Sequence, residues 1–108
     1  MRKRIYIAGP ITRGNRTDNF ANACKAQESL MACGFAPLNP MLTMLHPAAW
    51  VIPHEDWMAA DLPWVAVADG LLRLPGDSIG ADMEVAHAMK LGIPVMYSIT
   101  EVLTRFAE

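Results

Sequence analysis

Four short apolar runs, separated by segments of helical periodicity, constrain this chain more than any other feature. Ile5-Tyr6-Ile7-Ala8 is stopped by Gly9-Pro10, Phe35 to Leu38 by Asn39-Pro40, and Gly70 to Leu74 by Pro75-Gly76; Ile93 to Met96 is the fourth. Runs this short and this apolar read as strands buried on both faces. Between the first two, Phe20, Ala23, Cys24, Leu30 and Met31 recur at helical spacing, predicting a helix from Asn19 to about Cys33 with Gly34 as its stop. Thr12 to Asp18 reads as a loop. Met41 to Pro53, with Pro47 and Pro53, reads as a loop holding one helical turn. A second helix is expected from His54 to about Ala68, kinked or restarted at Pro63. Ser78 can cap a third that ends at Leu91-Gly92, and Thr100 to Phe106 forms the last. The order β-α-β-α-β-α-β-α implies an α/β fold: one parallel sheet with helices on both faces.

A chain of 108 residues suits a single domain, 1–108. Its 53% hydrophobic and 19% charged residues exclude a disordered chain and leave apolar surface for an oligomer interface. The homodimer or higher homo-oligomer this predicts should have the helix around Trp57–Val65 in or near its interface. No apolar run reaches the 18–20 or so residues that span a bilayer, so no membrane partner is expected. The basic start, Met1-Arg2-Lys3-Arg4, is followed by an apolar stretch too short for a signal peptide. A net charge of −2 without a basic run gives no footprint for duplex nucleic acid. Cys24 and Cys33, nine apart on one expected helix, are too distant for a disulfide and read as reduced core residues of a cytoplasmic protein. His46, His54 and His87 lack metal-ligand spacing, so no metal and no cofactor is expected. Trp57 and Trp64 read as core or interface residues rather than a stacking platform.

In parallel sheets ligands bind beyond the C-terminal strand ends. That singles out the loops after Ala8, Leu38 and Leu74. In the first, Gly9 admits close backbone approach, and free N–H groups with Arg13 could hold an anion, although neither G-x-G-x-x-G nor a phosphate loop is present. Asn39 heads the second. In the third, Glu84 lies one and a half turns into its helix, with Gly80 and Ala81 on the same face leaving space before the carboxylate. Ser78 stands at the helix start, where an anion is favoured. A carboxylate beside such a space could attack a sugar carbon; the plainer alternative is an ordinary surface charge. Asp61 sits among Ala59, Ala60, Leu62 and Trp64, where an ionised group needs a reason to stay. Asp69, just before the third strand, reads as a turn residue.

Tyr6-Ile7-Ala8-Gly9-Pro10, Asp61-Leu62 ahead of Ala68-Asp69-Gly70, then Leu74-Pro75-Gly76, Ser78, Gly80-Ala81 and Glu84 together resemble the nucleoside 2-deoxyribosyltransferase superfamily. They resemble most its short branch, related to the 2′-deoxynucleoside 5′-phosphate N-hydrolases. The resemblance runs from Arg4 to about Val95 and implies a flavodoxin-like sheet and chemistry at an N-glycosidic bond. It implies that Glu84 is the nucleophile, forming a covalent glycosyl intermediate, and that Asp61 handles the base or sugar. It assigns sugar, base or phosphate contacts to Tyr6, Gly9, Pro10 and Ile11, and implies oligomers whose neighbouring subunit completes the pocket. The superfamily's nucleoside transferases carry aspartate six positions before the nucleophile; its monophosphate hydrolases carry serine. Ser78 holds that position, with Asp77 beside it, which leans toward a phosphorylated substrate.

The expected function is therefore cleavage or transfer at the N-glycosidic bond of a (deoxy)nucleoside or its 5′-monophosphate. A non-catalytic nucleotide-binding or sensor module of the same fold is the alternative, and a receiver-like interaction protein is a third reading.

Overall fold

Neighbouring residues of the first strand point to opposite faces, and this alternation sets the layers of the domain. Residues 1–46 and 49–107 are described by the computed structural model. Strand β1 (Arg4–Ala8) is buried from Ile5 onward. Ile5 and Ile7 pack on one side with Leu30 of α1 (Arg16–Ala32) and Val102 of α4 (Ile99–Arg105). Tyr6 and Ala8 pack on the other with Val65 of α2 (His54–Ala66) and Ala81 and Ala88 of α3 (Ile79–Lys90). Strands β2 (Ala36–Leu38), β3 (Gly70–Arg73) and β4 (Val95–Met96) complete the sheet among the described residues. Its order is β2-β1-β3-β4 and every pairing is parallel, as the alternating sequence predicts. The order reverses between β1 and β3, which is where such sheets open a crevice for ligands.

Side-chain caps explain most helix starts. Asn15 Oδ1 accepts from Asp18 N at 3.0 Å, so α1 begins inside the segment expected to be loop. Ser78 Oγ accepts from Ala81 N at 3.0 Å, as expected for the α3 cap. Ser98 Oγ accepts from Glu101 N and Glu101 Oε2 accepts from Tyr97 N, which starts α4 one residue before the expected Thr100. Helix α2 continues through Pro63 without a restart and ends at Ala66, two residues earlier than expected. Proline removes one hydrogen bond to the carbonyl four residues back, on Ala59, which is exposed and open to water.

Two short 3₁₀ segments, Pro40–Leu45 and Ala49–Val51, occupy the region expected to be a loop with one turn. Pro47 and Ala48, part of that expectation, and Glu108 lie outside the described residues. Cys24 is half-buried and Cys33 is exposed as the cap of α1, so neither belongs to the core. Asp69 accepts from Arg4 N at 2.8 Å and ties the N-terminal ends of β1 and β3 together, agreeing with its reading as a turn residue.

At the opposite sheet edge, Gly76 has φ +115°, and a Cβ there would lie 2.9 Å from Pro10 Cγ. Gly76→Ala is expected to destabilise the fold by about 2–3 kcal/mol, from backbone strain and displacement of Pro10. Chemical denaturation measures this loss, and an unchanged midpoint would contradict it.

Candidate active site

A cavity of about 390 Å³ opens at the C-terminal ends of β1 and β3. Ile7 and Gly9 from the end of β1 line it, with Ile11, Thr12 and Arg13 from the following loop. Asn19 holds that loop by donating to the carbonyls of Ile11 and Arg13 at 3.2 and 2.8 Å. From α2 come His54, Trp57, Met58 and Asp61, one face of the helix at positions i, i+3, i+4 and i+7. The β3–α3 loop and α3 contribute Asp77, Ser78, Gly80, Ala81 and Glu84. The 3₁₀ segments supply a further wall that includes Met41, Met44 and Trp50.

Glu84 is only 5% exposed, so it is not the surface charge of the plainer sequence reading. Tyr6, 1% exposed on β1, donates its hydroxyl to Glu84 Oε2. Burial pushes the Glu84 carboxyl up to about 7; the Tyr6 hydrogen bond pulls it down, the Asp61 charge raises it, and Arg73 lowers it. Burial alone lifts Asp61 to about 6. Burial, then the Glu84 charge and hydrogen bond, raises the Tyr6 phenol far above its ordinary value, so it stays a proton donor to Glu84 at neutral pH. Two neighbouring carboxyls titrating near neutrality in one cavity can divide acid and base roles.

Of the residues singled out from sequence, Glu84, Asp61, Gly9, Ile11, Arg13, Ser78, Gly80 and Ala81 all line this cavity. Tyr6 stands behind Glu84 rather than in the lining. Pro10 is buried against Gly76. Asn39 is 4% exposed and turned away: its Oδ1 accepts from Met41 N at 3.1 Å, and its amide donates to Gln27 at 3.2 Å. The space in front of Gly80 is also less open than expected. A Cβ there would meet His54 Cε1 at 3.4 Å and Met58 Cε at 3.5 Å, so the missing side chain admits α2. Arg13 pairs with Asp77 at 3.8 Å, both groups being well exposed.

Arg73 escaped the sequence reading. Its side chain is 10% exposed, and it donates to the carbonyls of Leu74 and Gly76 and to Asp82 of α3, the last at 3.1 Å. It thereby fixes the loop that carries Asp77 and Ser78 and sets a positive charge near Glu84. No spacing rule marks such a contact, because a strand-end arginine could equally face water.

Among the described residues, no three His, Cys, Asp or Glu side chains gather to hold a metal ion, and no helix is long and apolar enough to cross a membrane. No curated protein matches the chain. Among solved structures it is similar to a 2-deoxyribosyltransferase from the psychrotolerant bacterium Bacillus psychrosaccharolyticus. The two are 25% identical with a TM-score of 0.69, over 87% of this chain and 70% of that one. That enzyme is described as a suitable biocatalyst for the industrial synthesis of antiviral and antitumoral nucleosides. The doubly wound sheet is thus a fold the two proteins share. The model of a domain of unknown function, DUF4406, matches residues 3–97, and the chain belongs to that family.

Proposed function

We propose that this protein cleaves or transfers at the N-glycosidic bond of a (deoxy)nucleoside or its 5′-monophosphate, with Glu84 as nucleophile. The observation that carries this reading is a nearly buried carboxylate, hydrogen-bonded by Tyr6, that still reaches a cavity shared with Asp61. The likeness to a 2-deoxyribosyltransferase supports it.

In the first step a Glu84 oxygen bonds to C1′ as the C1′–N bond breaks. The base leaves with the electron pair and takes a proton from Asp61 or from water. In the second, water or a second base attacks C1′ and gives up its proton to Asp61 or to solvent, the ester bond breaks, and the Glu84 carboxylate is regenerated. Two displacements replace one difficult departure. Tyr6 is a positioning residue, holding Oε2 so that the other oxygen faces the sugar. The Ser78 hydroxyl, which accepts from Ala81 N, keeps its own proton to donate to a 5′ oxygen or phosphate. Arg13 and Asp77 flank the same end; the first favours phosphate and the second a free hydroxyl.

The test is a panel of nucleosides, deoxynucleosides and their 5′-monophosphates, followed by chromatography of the free base. Release from a member of the panel, lost in Glu84→Ala, is expected. Release that requires a second base identifies a transferase. Wild type and variant alike in releasing nothing would overturn the enzymatic reading, and a ligand-dependent rise in Tm would then favour a binding module. We also propose that the chain works as a homo-oligomer. Trp64 is 59% exposed on α2 and Val67, just beyond that helix, 49%. Light scattering at micromolar concentration should give at least twice the monomer mass, and a monomer would refute this.

A further inference from the structure

Displacement at C1′ sends the leaving group out on the side opposite the attacking oxygen. Glu84 comes from α3, which follows β3, whereas the 3₁₀ wall follows β2. These strands are two positions apart in the sheet, about 10 Å. The base therefore faces the wall on the far side of the cavity from Glu84. This placement rests on the glycosidic reading above.

That wall presents Met41, Met44 and Trp50, with Ile52, and Trp57 of α2, beside it, and two of the polar groups there are engaged within the protein. Thr43 donates its hydroxyl to Pro40 O at 2.6 Å, and Trp57 Nε1 donates to Ala49 O at 3.3 Å. Trp50, 49% exposed, has the Arg16 guanidinium 4.4 Å over its ring. The Thr43 and Trp57 donors are thus directed into the protein, and apart from Asp61, assigned above to the departing nitrogen, mainly thioether, aliphatic and indole surface faces the base.

We propose that this wall is the nucleobase subsite, that it reads shape and apolar contact instead of the hydrogen-bonding edge, and that it favours a base carrying a methyl or halogen substituent over the unsubstituted one. A pocket built to hydrogen-bond an edge rejects the wrong analogue by about 10⁴-fold or more, whereas an apolar pocket discriminates by about 10- to 200-fold per methylene at most. Burying one methyl group is worth about fourfold.

The experiment uses calorimetric titration of the Glu84→Gln chain with thymidine, deoxyuridine and deoxycytidine, which separates binding from turnover. Thymidine is expected to bind at least about fourfold tighter than deoxyuridine. Deoxycytidine is expected within about tenfold of deoxyuridine, because their edges differ where the wall offers no donor. Met44→Gln in the same background should bring the thymidine-to-deoxyuridine ratio close to one; equal weakening of both nucleosides would mean that Met44 acts only on the fold. Discrimination between deoxycytidine and deoxyuridine beyond about a thousandfold, or no preference for thymidine, overturns the inference and leaves the glycosidic reading standing. Failure of all three to bind also overturns it, with the turnover panel deciding the reaction separately. Selective binding without base release by the wild type overturns the reaction and retains the subsite.

Discussion

Glu84→Gln is expected to lower base release by about a thousandfold or more while relieving the fold of a pH-dependent cost of about 3 kcal/mol. The first effect follows from removing the only group proposed to bond to C1′. The second follows from burial. The Glu84 carboxyl titrates at about 7 in the fold against 4.5 when free, a difference of about 2.5. One pKa unit corresponds to about 1.36 kcal/mol, which gives about 3 kcal/mol. Because the folded value is the higher, the fold favours the protonated acid. The stability it contributes is whole below pH 4.5 and is lost as pH rises through 7. Glutamine does not ionise, and its carbonyl oxygen can still accept from Tyr6. The stability difference between wild type and Glu84→Gln should therefore shift by about 3 kcal/mol in favour of the variant between pH 4 and pH 8.5. Denaturant unfolding at both pH values measures this shift, and any fixed cost of burying the amide cancels in the comparison. A difference that does not move with pH would mean that Glu84 is not held in a desolvated site. A pH-dependent gain with unimpaired base release would mean that it is desolvated for some other reason.

The coupling of lost activity to gained stability is what an evolved site built around a buried charge should show. It also explains which parts of the site could be read from the sequence. The helix addresses were legible because they depend on neighbours: Ser78 caps α3, so Glu84 had to lie a turn and a half beyond it. The strands were legible because short apolar runs sit between glycine and proline stops. What was not legible depends on contacts between residues distant in sequence. Tyr6 and Glu84 are 78 residues apart, and only the pairing of β1 with β3 brings them together. Asn39 fell in a strand-end loop, as a ligand contact would, yet its amide closes a 3₁₀ turn and reaches Gln27. Pro63 reads as a kink or a restart, but helix α2 carries it without a restart where the Ala59 carbonyl is open to solvent. The wall segments Pro40–Leu45 and Ala49–Val51 have no heptad or alternating pattern, because 3₁₀ turns follow neither period.

The dependence of kcat/KM on pH should be bell-shaped with limbs near 6 and 7, and Asp61→Asn should convert it to a single rising limb with a plateau about a hundredfold lower. Asp61 titrates at about 6 and Glu84 at about 7. The two share one cavity, and the Asp61 charge raises Glu84, so the limbs belong to the pair. The proposed chemistry needs one carboxylate to attack and one acid to protonate the departing base. Only the singly protonated pair provides both. Below pH 6 both carboxyls hold protons and no nucleophile exists; above pH 7 neither does and the acid is missing. Within the window the proton rests mostly on Glu84, so the productive arrangement is roughly a tenth of the singly protonated population, from a difference of about one unit. That minority is sufficient if proton exchange within the cavity outpaces turnover. In Asp61→Asn the acid limb belongs to Glu84 alone; burial still raises that carboxyl, so the limb moves up from near 6, and it stays below 7 because the Asp61 charge that helped raise Glu84 is gone. The alkaline limb vanishes because no second carboxyl remains to lose its proton. Rates measured from pH 5 to 9 with a base that does not titrate in that range decide the matter. A bell retained in Asp61→Asn would assign the acid to a group other than Asp61. An acid limb that moves all the way to 7 would mean that the two carboxyls do not interact.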